Sequence, residues 1–155
     1  MNLNGKRIMY KNILIPVDGS PLSRKAVREA IGLAKTCGAR VTGFFSPPEY
    51  EVLMYGEYFP PNLMPREEYD ERAASRAEKI LTSVRKEAEA AGVACNTLFT
   101  PSRMPWEAII ATAKKKRCDL IVMASHGRKG LAGVLLGSET TKVLTHSRVP
   151  VLVVR

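Results

Sequence analysis

The chain has little of what several common chemistries require. Its three cysteines, Cys37, Cys95 and Cys118, are far apart and form no C-x-x-C, so they read as structural thiols in a reducing cytoplasm rather than metal ligands or a redox pair. No apolar run approaches the roughly 20 residues that span a bilayer. The first seven residues carry a basic pair, Lys6-Arg7, with no apolar segment behind it, so a secretory signal is not expected and a cytoplasmic location is. Internal repeats and low-complexity tracts are missing as well. The expectation is one domain over 1–155, with 1–9 as an N-terminal extension and 46–65 as a loop rich in proline and aromatic residues. At 155 residues and 45% apolar composition, such a domain buries roughly 70% of the surface of its unfolded chain.

Acidic residues are also scarce. There are 15 against 24 lysines and arginines, a formal net charge of +9, which suits polyanionic ligands in general. The cations are dispersed along the sequence, however. The one dense run, Lys114-Lys115-Lys116-Arg117, falls where a helix should end, and cations there complement the helix dipole. Aromatic residues interleaved with basic ones, as stacking on bases would require, are lacking. Nucleic acid is therefore not the expected partner.

The elements that are present alternate. Tyr10 to Val17 reads as a strand. Ser20 can cap a helix that has Pro21 at its first position and Val27, Ala30, Ile31 and Ala34 at helical spacing, stopped by Gly38. Val41 to Phe45 is a second strand. Ser46 to Pro65 holds five prolines, which argues against regular structure within it. From 66 to 91, Ala77, Ile80, Leu81, Val84, Ala88 and Ala91 form one apolar stripe on a helix about 39 Å long at roughly 1.5 Å per residue. Ala94 to Thr100 is a third strand. Pro105 opens a helix with Trp106, Ile109, Ile110 and Ala113 facing inward, Leu120 to Met123 is a fourth strand, and a short helix from Ser138 leads to a fifth at Val149 to Val154. Such alternation predicts a parallel sheet covered on both faces.

The most telling stretch follows the fourth strand: Met123-Ala124-Ser125-His126-Gly127-Arg128, an arch, then Gly137-Ser138-Glu139-Thr140. A glycine-bearing loop between a strand and a helix N-terminus gathers backbone amides that can hold phosphate. It matches neither G-x-x-x-x-G-K-[ST] nor G-x-G-x-x-G. It resembles instead the G-x-x-G-(nine)-G-[ST] pattern of nucleotide-binding universal stress proteins. The run Asn12-Ile13-Leu14-Ile15-Pro16-Val17-Asp18-Gly19-Ser20 is similar to that family's first strand and acidic turn. The run from Val143 to Val154 is similar to its last helix and closing strand. Two departures stand out. Ala124 occupies the first loop glycine's place, where a methyl fits at negative φ but costs roughly 1 kcal/mol at positive φ. Ser46-Pro47-Pro48 replaces the usual His-Val stretch.

The resemblance implies an α/β single-domain, Rossmann-like open five-stranded parallel sheet of order 3-2-1-4-5. Ligands of such sheets bind beyond the strands' carboxyl ends where the order reverses, so the turns carrying Asp18 and Gly127 should line one crevice. Gly137 and Ser138 would offer amides at a helix N-terminus, Ser138 and Thr140 hydroxyl donors, and Gly127 close backbone approach. Arg128 and Lys129 either neutralise phosphate or are solvated. Asp18 suits a ribose hydroxyl or a bridging Mg2+, or else caps the first helix. Pro16 and Val17 would border the base. Main-chain groups near Phe45 and Ser46 would read the adenine edge, as in the family. His126 reads as a loop-ordering histidine more readily than a general base, and Ser125 lacks the G-x-S-x-G context of a hydrolase nucleophile.

The expected function is thus an adenine-nucleotide-binding stress-response module holding ATP or AMP, with Mg2+ as an option. It would be homodimeric through the edge strand 149–154, which is long, apolar and free to pair. A slow Mg2+-dependent ATPase using the same crevice is the alternative, and a basic nucleic-acid-binding protein a more distant one. Tyr50, Met54, Tyr55, Tyr58 and Phe59 would pack over the second helix, cover the crevice or meet a second subunit.

Overall fold

The computed structural model describes residues 9–51, 63–127 and 136–155. Its elements run β1 (Asn12–Pro16), α1 (Pro21–Cys37), β2 (Arg40–Phe45), α2 (Arg66–Ala90), β3 (Cys95–Phe99), α3 (Pro105–Lys115), β4 (Leu120–Ala124), α4 (Ser138–His146) and β5 (Val151–Val154). All five strands are parallel, in the order β3-β2-β1-β4-β5. The sequence places every element, with strand ends differing by one or two residues. Residues 1–8, the aromatic cluster Met54, Tyr55, Tyr58 and Phe59, and Arg128 and Lys129 lie outside the described residues.

Alternation along the strands builds two cores. Ile13, Ile15 and Val17 of the first strand and its exit pack with Val41, Phe45, Leu120 and Val122 against α1 and α2. Leu14, Phe44, Ile121 and Met123 point the other way, against Ile109 and Ala113 of α3 and Val143 of α4. The period of two sends adjacent side chains to opposite faces, so a parallel strand buried on both sides must be apolar throughout. The β4 run, fully buried over all five residues, is that case. On α3 the expected inward Ile110 is only half-buried, and Thr112 is buried instead.

Ser20 caps α1 by accepting the Ser23 N–H at 3.1 Å, with Pro21 in the first turn and Gly38 left-handed at the end. Tyr50, at the start of the proline-rich segment, packs its ring 5.4 Å from Tyr69 of α2, the bland expectation for that residue.

Cations dispersed along the sequence are gathered in part by the fold. In a singly directed sheet every strand starts at the same end, so Lys11 before β1, Arg40 opening β2, Lys116 and Arg117 before β4 and Arg148 before β5 share that end. The Lys11 carbonyl accepts the Arg40 N–H at 3.0 Å, and the Lys116 carbonyl accepts from Asn12 Nδ2 at 2.9 Å. Both α1 and α3 finish there, so part of this charge answers their dipoles.

Candidate functional site

The opposite end, where strands finish, is held open by two turns. After β1, the Val17 N–H donates to the Phe44 carbonyl at 2.8 Å, fixing the exit against β2. Asp18 Oδ1 then accepts the Ser20 N–H at 2.9 Å, and the Asp18 N–H donates to Ser23 Oγ at 3.2 Å. Asp18 therefore closes the turn, while Ser20, rather than Asp18, supplies the helix cap.

After β4, the Ser125 N–H donates to the Val154 carbonyl and the Gly137 N–H to the Ser125 carbonyl, both at 2.7 Å, so the loop's two ends are pinned together. Thr140 Oγ1 donates to the Ala124 carbonyl at 3.0 Å and is buried. That bond consumes the hydroxyl proton expected to reach a phosphate, leaving Ser138 as the exposed hydroxyl of the pair. Ser125 is 2% exposed, with Oγ 3.2 Å from His126 Nδ1. It sits behind the loop surface, and its contact orders His126. Ala124 lies within β4 without a positive φ, and its methyl belongs to the core beside α1, so the extra carbon relative to glycine is accommodated.

Space, not φ, explains the two glycines. Neither Gly127 nor Gly137 has a positive φ. A Cβ on Gly127 would lie 2.7 Å from Asp18 Oδ2, and one on Gly137 would lie 3.2 Å from His126 Cα. Turns more than a hundred residues apart in sequence are thus in contact across the point where strand order reverses, between β1 and β4.

Together they border a cleft of about 590 Å3. All the residues expected at the site line it except buried Ser125 and the undescribed Arg128. Five lining residues were not anticipated: Ser23, Phe44, Pro105, Ile109 and Leu136. Pro105 and Ile109 were legible in principle, since in this topology α3 begins at the carboxyl edge of the sheet. Phe44 was legible from alternation, being the residue beside Phe45 that points to the α3 side. Ser46 reaches the cleft despite its unusual context: its Oγ donates to the Thr100 carbonyl at 2.9 Å, and the Ser102 N–H donates to the Pro47 carbonyl at 2.9 Å.

The profile of the universal stress protein family matches residues 9–155. The chain belongs to this family. A universal stress protein of Methanocaldococcus jannaschii is 34% identical, the match covering 98% of this chain and 85% of that one. The solved structure of the universal stress protein UspA from Lactobacillus plantarum is 26% identical with a TM-score of 0.77, covering 94% and 98% of the two chains. A universal stress protein solved in complex with cAMP shares the fold at a TM-score of 0.68 and 24% identity, over 94% and 97%.

Three helices of this universal stress protein begin at the cleft; α1 is capped by Ser20, and the other two differ. The N-cap of α4, Gly137, has no side chain to cap with, so among the described residues no side-chain cap covers the leading amides of that helix. The N-cap of α3, Met104, makes no side-chain cap bond either. There, Glu139 of α4 reaches across, and its Oε2 accepts the Trp106 N–H at 2.9 Å. The Trp106 ring in turn lies 4.7 Å from that of His146 at the far end of α4. Among the described residues no group of three or more His, Cys, Asp or Glu side chains is placed to hold a metal ion.

Proposed function

We propose that the cleft binds an adenine nucleotide and that the protein works as a homodimeric sensing module in the stress response, paired through β5. The observation that carries the reading is the contact of the Asp18 turn with Gly127 directly beside the start of α4, which no described side chain caps. Amides at such a helix start, with its dipole behind them, favour a phosphate. A carboxylate accepts several hydrogen bonds at once, and Asp18 is suited to ribose hydroxyls. The apolar side chains of Val17, Phe44, Ile109 and Met123 give the base a dry wall. The choice of adenine draws on the fold relative solved with cAMP. The phosphate and ribose ends rest on this chain's own geometry.

Pairing through β5 is supported by its edge position and by Leu152, 43% exposed on it. No helix among the described residues is long and apolar enough to cross a membrane.

Three measurements test the reading. Denaturing the purified protein and analysing the supernatant by mass spectrometry should release AMP, ADP or ATP, and calorimetric titration of stripped protein should saturate with at least one of them. Protein that carries none and takes up none would leave only the fold. Sedimentation should give twice the monomer mass, reduced to the monomer by Leu152→Lys.

A further inference from the structure

We propose that Glu139 sets how much phosphate charge the cleft accepts, favouring monophosphates over triphosphates. The inference deepens the nucleotide reading and rests on it. Glu139 follows Gly137-Ser138 in the first turn of α4, and it lines the cleft that those residues open. Its side chain is fixed at one end by the Trp106 N–H, 2.9 Å from Oε2. At the other, Lys142 Nζ stands 3.7 Å from Oε1, a loose contact between half-exposed groups, which screens the carboxylate's charge weakly.

Two consequences follow from that placement. The start of α1 is capped by Ser20 and the start of α3 already has an anion on it, so a phosphate tail cannot gain from the α3 amides without displacing Glu139. A tail held at the start of α4 lies close to the same carboxylate, and repulsion grows with every charge the tail carries. At roughly 7 Å in a water-like dielectric, each added phosphate charge is disfavoured on the order of threefold, more where solvent is excluded. The first phosphate still gains from the open amides. The second and third meet the penalty with less to offset it.

Glu139→Gln separates charge from structure, because the amide oxygen can still accept the Trp106 N–H. Adenosine, AMP, ADP and ATP are titrated calorimetrically into stripped wild-type and variant protein without divalent cations. The expected result is unchanged adenosine affinity in the variant and a gain that climbs from AMP through ADP to ATP, reaching about tenfold or more for ATP. Raising the salt concentration should shrink that gain, as it must for a screened Coulomb effect. An identical ladder of affinities in the two proteins would overturn the inference while leaving nucleotide binding intact. Failure of the wild type to bind any of the four would overturn the nucleotide reading and this inference together. Glu139→Ala, which removes the cap too, supplies the contrast: if the residue only holds α3, this variant weakens all four ligands equally and Glu139→Gln moves none.

Discussion

At the carboxyl ends of the strands helices begin, and at the amino ends they finish; the side chains at the two ends differ accordingly. The carboxyl end has glycines chosen for space, a helix start with no side-chain cap and a cleft bordered by two turns. The amino end is tied down. Asp119 accepts the Lys11 N–H and the Asn12 N–H, with its closest contact at 2.8 Å, and Thr42 Oγ1 donates to Asn12 Oδ1 at 3.0 Å. One end is arranged to accept a ligand, the other to hold adjacent strands in register. Changes at the first should therefore move affinity and leave stability, and changes at the second should do the reverse.

The largest effect expected is at the cleft. Gly127→Val forces side-chain carbons into the space of the Asp18 carboxylate, which is already engaged by the Ser20 N–H. Nucleotide affinity should fall about a hundredfold, roughly 2.7 kcal/mol, with a melting temperature close to wild type. A variant that binds normally would show that Asp18 and Gly127 do not shape the site.

Asp119→Ala is the matching change at the amino end. It removes the acceptor of two backbone donors, the Asn12 N–H being part-buried, and should cost about 2 kcal/mol of stability, seen as a melting temperature lowered by roughly 4–8 °C. Calorimetric affinity for nucleotide should be unchanged. Thr140→Val lies between the two regimes, since Thr140 borders the cleft but its hydroxyl is buried against the Ala124 carbonyl. A loss of about 1 kcal/mol in denaturant unfolding is expected, with little change in affinity.

Much of this polarity was legible in the sequence. Apolar spacing, caps and the glycine loop located the nine elements seen among the described residues, because strands buried on both faces and helices buried on one leave different patterns. The convergence of Asp18 with Gly127 followed from strand order, a property of the family pattern rather than of any single segment. Other features were hidden because they depend on where side chains end up. No spacing rule says that Thr140 spends its hydroxyl on Ala124, or that Glu139 caps a helix beginning 34 residues before it. The row of cations was also invisible, since adjacency across parallel strands has no counterpart in sequence distance.

Arg117 sharpens the contrast further. The turns leaving α1 and α2 use Gly38 and Gly92 in the left-handed region, at φ 69° and 71°, but the turn leaving α3 puts Arg117 there at φ 53°. A side chain in that region costs about 1 kcal/mol, which glycine avoids. Arg117→Gly should therefore stabilise the fold by roughly that amount in urea unfolding, with no effect on the cleft. Destabilisation would mean that the arginine's charge or contacts outweigh its backbone strain.

The smallest expected effect is electrostatic and belongs to the same turn. Burial pushes the Cys118 thiol up from its ordinary value of 9.0, and Asp119 adds to the shift, while a hydrogen bond to Thr42 and the nearby charges of Arg40 and Lys116 oppose it. A folded pKa above the unfolded one means the native state holds the proton more tightly. The associated stability is fully present below pH 9 and is lost as pH rises through the folded value, where the unfolded chain gains more by ionising. Urea midpoints measured between pH 8 and 10.5 should fall more steeply for wild type than for Cys118→Ala, after normalising each to its own value at pH 8. Parallel curves would mean that the thiol is as free to ionise in the folded protein as in the unfolded chain, and that the amino end is less tightly closed than its hydrogen bonds indicate.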